Sequence, residues 1–357
     1  MPPIKVKEPT AIGAYIFAGG FTLGVSKFFK VLCHLEDSDY GVKTAQRNFP
    51  DLPIYVGSEH WPDKLEADFV YGNPPCAAWS VAGYTKDKGT DKWLSDPRVA
   101  CTEKHFSLLG RTRPKVWAWE SVTQAFSKGR LFVKRLEQEA SRLGYSTSYL
   151  LHNSQYLGLP QVRKRFFMVC HRVKFFPVEP DWKMNVTPVS VLKNVKAGEE
   201  THYGKEGTRF ANRYNPLLPK VRPGQRLVRA WEENIAGNDP ELWERNKNGT
   251  ITGRPSFGHC RLPLDRPGGA IVGYGVIHPI EHRFLTTEEI QVLCGFPSSF
   301  VFTPKTTQAR ASEIARGVCP PVGAWLARAV HRAVMENERV EKPQVVVHNL
   351  LKPPGVR

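Results

Sequence analysis

Asp68-Phe69-Val70-Tyr71-Gly72-Asn73-Pro74-Pro75-Cys76-Ala77-Ala78-Trp79-Ser80-Val81-Ala82-Gly83 is the stretch on which the reading of this chain turns. Phe69 to Tyr71 is an apolar run of strand length, suited to a buried strand. Gly72-Asn73-Pro74-Pro75 ends it, because proline has no N–H to give a central ladder. In open α/β sheets, ligands are handled in loops beyond the carboxyl ends of strands. Cys76 therefore stands where a nucleophile belongs. Cysteine is also among the most buried residue types and often packs as a small hydrophobe. The rigid Pro-Pro before Cys76 and the Ser80 and Gly83 turn residues after it favour the reactive reading, and partners elsewhere in the chain decide it.

Upstream, after a loose leader over residues 1–12, Ala14-Tyr15-Ile16-Phe17 reads as a strand running into Ala18-Gly19-Gly20-Phe21-Thr22-Leu23-Gly24. Glycines at a strand-to-helix turn let backbone approach a ligand closely, although a plain tight turn has the same composition. A second strand, Lys30 to His34, ends at Leu35-Glu36-Asp37. An acid one βαβ unit after a glycine turn can accept hydrogen bonds from ribose hydroxyls. A helix over 39–49 and a third strand, Ile54 to Val56, end at Gly57-Ser58-Glu59. Downstream of Cys76, the fifth strand, Val116 to Trp119, ends at Glu120. Leu131 to Leu143 reads as an amphipathic helix with Leu131, Phe132, Leu136 and Leu143 near one face, closed by Gly144. Tyr149 to Leu151 is a strand, and the basic turn Gln161-Val162-Arg163-Lys164-Arg165 precedes an apolar strand, Phe166 to Val169. On an extended chain Arg163 and Arg165 share a face. This alternation predicts an α/β fold with a doubly wound, mostly parallel sheet.

The chain has 357 residues, with 50 Lys and Arg against 34 Asp and Glu, a formal net charge of +16. That balance points to a polyanionic partner, nucleic acid ahead of a membrane surface. No apolar segment approaches a membrane span, and the first residues carry no apolar signal region, so a cytoplasmic protein is expected. The seven cysteines, Cys33, Cys76, Cys101, Cys170, Cys260, Cys294 and Cys319, are scattered with no Cys-x-x-Cys pair. A reducing compartment and no metal site follow. Residues 174–255 are rich in Pro, Gly, Asn and basic residues, with Trp182, Trp231 and Trp243, and read as an irregular or β-containing domain for nucleic-acid contact. Thr286-Thr287-Glu288-Glu289 then opens a helix with capping character, Val322 to Met335 forms the last helix, and the remaining tail is expected to fray.

Taken in order, these segments resemble the DNA (cytosine-5) methyltransferases that use S-adenosylmethionine, over about residues 14 to 330. Phe17-Ala18-Gly19-Gly20 looks like that family's cofactor motif, and Glu36 with Asp37 like its ribose-binding acid. Pro74-Pro75-Cys76 looks like its nucleophile motif, Glu120-Ser121-Val122 like its Glu-Asn-Val, and Gln161-Val162-Arg163-Lys164-Arg165 matches Gln-x-Arg-x-Arg. Arg283-Phe284-Leu285-Thr286 through Pro297 and Gly317-Val318-Cys319-Pro320-Pro321-Val322 resemble the motifs after the target-recognition domain. The resemblance implies a Rossmann-like methyltransferase fold with 1–173 catalytic and cofactor-binding, 174–280 target-recognition, 281–335 returning to the catalytic domain, and 336–357 a basic tail. It implies that Cys76 attacks cytosine carbon 6, that Glu120 meets N3 and the exocyclic amine, and that Arg165 holds the base carbonyl while Arg163 supports the same loop. Pro75, Ser58, Glu59, Arg316, Gly317 and Val318 would join the cofactor site. Double-stranded DNA with the base flipped out, a monomeric enzyme, and a bacterial or phage modification role complete the expectation.

The chain departs from the pattern in several places. The cofactor turn is two residues short, Tyr15 stands where an acid is common, Ala77 replaces glutamine and Ser121 replaces asparagine. Arg316-Gly317 replaces the usual Gly-Asn, and an arginine there suits a cofactor whose transferred group bears a carboxylate, giving a carboxymethyl product; solvent or a DNA phosphate is the other destination for Arg316. An RNA cytosine-5 methyltransferase and a catalytically weak DNA-binding protein of the same fold are the competing readings.

Overall fold

The computed structural model describes residues 8–79, 96–196, 214–248, 255, 258–273 and 275–355. Ser80 and Gly83 of the quoted stretch lie outside the described residues. The chain divides into two compact units, one of Met1–Leu157, Lys164–Lys183 and Gly317–Arg357, the other of Gly158–Arg163 and Met184–Arg316. The main segment of the second unit thus begins at Met184, after the expected 174, and runs past the expected 280, and the unit also takes in the short segment that carries Arg163.

The first unit is built on an eight-stranded sheet. Its strands are β1 Thr10–Ala14, β2 Lys30–Glu36, β3 Ile54–Val56, β4 Phe69–Gly72, β5 Val116–Val122 and β6 Ser146–Asn153; the ladder Gln161–Val162, β7, lies in the second unit; β8 Lys164–His171 follows, then β9 Gly268–Gly269, also of the second unit, and β10 Val345–Leu350. The strand order is β10-β6-β8-β5-β4-β1-β2-β3. Every pairing is parallel except those of β8, which runs antiparallel to both β5 and β6. Chain order reverses beside β1 and β4, the switch point at which a doubly wound sheet binds ligands. All four residues of β4 are buried, as a central parallel strand covered on both faces requires. Trp117 and Trp119 of β5 are fully buried in one cluster with Phe166 and Tyr149. Burying an aromatic side chain of that size contributes about 4–6 kcal/mol as an upper bound.

Helices α1 Gly20–Val25, α2 Val42–Asn48, α3 Arg98–Thr112, α4 Thr123–Ser127 and α5 Arg130–Arg142 belong to this unit, with a final helix Pro320–Glu336. Glycine lets α1 lie directly on that final helix: a methyl on Gly24 would sit 2.5 Å from Pro320 O and nearer still to Ala324 N. In α5 the buried face is Phe132, Val133, Leu136 and Ala140, so Leu131, expected on it, is 75% exposed. Phe132, not Leu131, starts the i, i+4, i+8 row. The first strand lies upstream of its expected place, inside the supposed leader, because Tyr15 and Phe17 take positive φ of 56° and 55° and turn the chain. The tail does not fray: Val345–Leu350 pairs in register with Thr147 to His152 of β6. Three successive β-branched valines supply the strand preference that the surrounding prolines and charges obscure.

Among its described residues the second unit is helical rather than β. Its core packs Leu227, Ala230, Trp231 and Ile235, one face of the helix Leu227–Asn238, against Tyr214, Leu217, Leu218, Ile277 and Phe284. Asp239 caps the next helix, Pro240–Lys247, by accepting from Leu242 N–H at 2.9 Å. Only β7 and β9, two residues each, form a named ladder among the described residues of this unit. Arg261, buried, donates to the carbonyls of Val221, Leu218, His278 and Glu281 and so ties together segments that have little regular structure. Thr286 and Glu289 form the expected capping box of the helix Thr287–Leu293.

Candidate active site and cofactor cleft

β4 ends at Gly72, and the parallel pairing of Gly72 with Trp119 sets the following residue, Asn73, beside Glu120. Asn73 N–H reaches Ala14 O at 3.3 Å, Pro74 and Pro75 follow, and Cys76–Ala78 closes a 3-10 turn whose Trp79 N–H donates to Cys76 O at 3.0 Å. Trp79 is buried against Phe132 with ring centroids 5.4 Å apart, which anchors the turn from below. Cys76 is half-buried.

Glu120 is 4% exposed and is gripped from two sides. Asn73 Nδ2 donates to its Oε2 at 2.5 Å, and Arg165 Nε lies 3.2 Å from its Oε1. The antiparallel return of β8 makes the second contact possible. Val122 pairs with Arg165 and Glu120 with Phe167, so Arg165 and Glu120 are diagonal neighbours across the ladder. Arg165 also donates through Nη1 to Lys164 O at 2.8 Å, which fixes the guanidinium plane. Arg163, expected among the catalytic residues, is buried in the second unit and donates to Ile271 O at 3.1 Å and Ala315 O at 2.9 Å. Those bonds tie it to two separate segments of that unit.

The turn Phe17-Ala18-Gly19-Gly20 lies between β1 and α1, with Gly19 at a φ of 97° that favours glycine. Ile16 N–H donates to Glu36 Oε1 at 2.6 Å, which draws the end of β2 up to this turn. Glu36 is 3% exposed. Burial pushes its carboxyl up to about 8, against the opposing pull of the Ile16 and Phe17 N–H donors. A buried carboxylate beside a glycine turn suits ribose hydroxyls, and Phe17 and Tyr40, ring centroids 5.9 Å apart, add aromatic surface suited to a purine. This donor set fits the nucleoside of S-adenosylmethionine. Asp37, also expected there, is instead held by Lys104 of α3 at 2.9 Å, with the Cys101 thiol 3.8 Å away. Pairing with Asp37 raises the Lys104 ammonium above its usual range.

Ser58 and Glu59 sit in a short 3-10 turn after β3, where Glu59 is exposed and lies 3.6 Å from His60 Nδ1. Pro75 is part of the Cys76 turn. Gly317 and Val318 are buried in the first unit just ahead of the final helix. Arg316 is exposed at the C-terminal turn of the helix Thr307–Arg316 in the second unit, where a cation complements the helix dipole. No cluster of His, Cys, Asp and Glu able to hold a metal ion occurs among the described residues, and no described helix is long and apolar enough to cross a membrane.

Three residues at the site gave no signal in the sequence. Trp61 is buried, donates its indole N–H to Glu36 O at 3.2 Å and meets Tyr15 edge-on at 5.9 Å. Thr22 joins His34 Nε2 at 2.6 Å to the Tyr71 hydroxyl at 2.7 Å, linking α1, β2 and β4 below the turn. Asn73, within the quoted stretch, reads there only as a strand breaker.

A family model described as C-5 cytosine-specific DNA methylase matches residues 15–332. The Type II methyltransferase M1.HphI of Haemophilus parahaemolyticus is 26% identical over 356 residues, covering 92% of this chain and 87% of that protein. The Type II methyltransferase M.MthTI of Methanothermobacter thermautotrophicus is 26% identical over 342 residues, covering 88% and 94%. Among solved structures, the Entamoeba histolytica methyltransferase EhMeth shares the fold with a TM-score of 0.58 at 14% identity, covering 92% of this chain and 99% of that one.

Proposed function

The chain belongs to the C-5 cytosine-specific DNA methylase family, and from that premise we propose that it methylates carbon 5 of a cytosine flipped out of double-stranded DNA, with Cys76 as nucleophile. The observation that carries this reading is the Glu120 carboxyl gripped by Asn73 and Arg165 at the mouth of the Cys76 turn. Cytosine carbon 5 is a weak nucleophile while the ring is aromatic. Addition of the Cys76 thiolate to carbon 6 breaks the conjugation and moves electron density onto carbon 5. Glu120 protonates or hydrogen-bonds N3 and so stabilises the charge that addition creates. Arg165 holds the base carbonyl and keeps a cation beside the developing negative charge. When bound, S-adenosylmethionine supplies the electrophilic methyl group that carbon 5 takes up. Loss of the carbon-5 proton to a base and departure of the Cys76 sulfur then restore the ring and free the enzyme.

Glu36 and the Phe17–Gly20 turn hold the cofactor's nucleoside in this reading, and the net charge of +16 supplies affinity for the DNA backbone. Base-resolution sequencing of DNA from cells expressing the protein reports the target sequence. A duplex carrying 5-fluorocytosine at that target then tests the chemistry, because fluorine cannot leave as the proton does. A covalent adduct that needs both cofactor and Cys76 is expected. An adduct that persists in Cys76→Ala overturns the assignment, and one formed with RNA alone overturns the DNA substrate.

A further inference from the structure

Asn73 carries a second polar atom that the chemistry above leaves unused. The residue is 3% exposed, and Pro74 after it confines its backbone to extended conformations. Its Nδ2 is spent on Glu120 Oε2, at 2.5 Å. That partner fixes the amide's orientation, because only the NH2 end can donate to a carboxylate. Oδ1 is therefore left as the amide's acceptor, and it is buried with no hydrogen-bond partner among the described residues. Native proteins rarely leave a buried acceptor unpaired, so such an atom marks a place where a donor arrives.

We propose that Asn73 Oδ1 accepts one N–H of the exocyclic amine of the flipped cytosine, making Asn73 a specificity-determining residue of the base pocket. The inference rests on the assignment of Cys76 and Glu120. The amine has two N–H groups and one carboxylate oxygen satisfies only one of them in the plane of the base. Glu120 and Asn73, already joined to each other, supply the two acceptors between them. Uracil and thymine carry a carbonyl at the same ring position. Its oxygen would face Oδ1 and leave two acceptors opposed, which penalises the wrong base more strongly than a missing contact would.

The test uses the full chain, its cofactor, and duplexes with 5-fluorocytosine or 5-fluoro-2-pyrimidinone at the target; the latter base lacks the amine. The rate of covalent adduct formation is measured for each. Asn73→Ala is expected to slow reaction on the cytosine duplex by about tenfold more than on the pyrimidinone duplex. Asn73→Asp keeps an acceptor but loses the donor to Glu120, so it is expected to slow both duplexes while preserving the preference for cytosine. Unchanged cofactor affinity certifies that each variant is folded. Equal slowing of both duplexes by Asn73→Ala would reduce Asn73 to a brace for Glu120 and overturn the proposal, as would wild-type rates on both. Failure of the wild-type protein to form any adduct would instead overturn the Cys76 assignment, which keeps the two failures apart.

Discussion

Removing the Arg165 guanidinium tests the site at its most charged contact. Arg165 Nε and Glu120 Oε1 are 3.2 Å apart, with side chains 16% and 5% exposed. At an effective dielectric of about 20, that separation corresponds to an attraction of about 5 kcal/mol before desolvation is counted. Taking away one partner of a buried pair strands the other, at a cost of about 3–5 kcal/mol. The Asn73 bond to the second carboxylate oxygen softens this, so the low end applies to Arg165→Ala. Denaturant unfolding should show a loss of about 3 kcal/mol. Single-turnover methylation should fall by about 100-fold or more, the effect of losing one charge-stabilising donor. Arg165→Lys restores the charge but neither the planar fork nor the bond to Lys164 O, so it should recover stability better than rate. Methylation by Arg165→Ala at the wild-type rate, with unchanged stability, would refute the argument that this pair organises the base pocket.

Four further outcomes follow from other parts of the first unit. Burial holds the Glu36 carboxyl up at about 8 against an ordinary value of 4.5, so the folded protein keeps a proton that the unfolded chain has lost between those limits. The resulting stability is complete below 4.5 and fades as pH rises to 8; Glu36→Gln should therefore gain on the wild type over that range in denaturant titrations. Ribose hydroxyls favour the carboxylate, so cofactor binding near neutral pH should release a proton, seen as a calorimetric heat that varies with buffer ionisation enthalpy; a buffer-independent heat would remove Glu36 from the cofactor site. Burial depresses His34 to about 3 and His105 to about 4, whereas the unfolded chain takes up those protons near 6.5. Their contribution is present above 6.5 and lost as pH falls, so His105→Asn should flatten the decline in the urea midpoint between pH 6.5 and 4. Gly24→Ala places a methyl 2.5 Å from Pro320 O, a backbone atom that cannot swing aside. Overpacking of about 1–3 kcal/mol should lower the melting temperature. Because α1 begins at Gly20, cofactor affinity should drop with it; a variant with both unchanged would show that the two helices are not in contact as described.

What could be read in advance was whatever chemistry sits at the end of a strand. Cys76, Glu120 and Glu36 each follow or close an apolar run, and the parallel sheet brings such ends to one edge. Elements with a strong local pattern were read well, such as Ile54–Val56 and the Thr286 capping box. Where two local signals compete, tertiary pairing decides. The Val345–Val347 run is a strand because β6 offers it a free edge, a fact no local window contains. The insert looked aperiodic because Pro, Gly and Asn break up its apolar residues, yet Leu227, Ala230, Trp231 and Ile235 already carry helical spacing.

The partners of the strand-end residues are a different matter, because they depend on strand direction. Arg163 and Arg165 look equivalent in the sequence, two basic residues on one face of an extended segment. The division into compact units falls between them, and Arg165, on β8, lies at the edge of the sheet that carries Glu120. It does so because β8 enters the sheet antiparallel between β5 and β6, so its first residues lie beside the last residues of β5. Had β8 run parallel to its neighbours, Arg165 would stand at the opposite edge of the sheet, and Glu120 would keep Asn73 as its partner without the cation. One reversed strand thus converts a basic turn with no local meaning into half of the grip on Glu120.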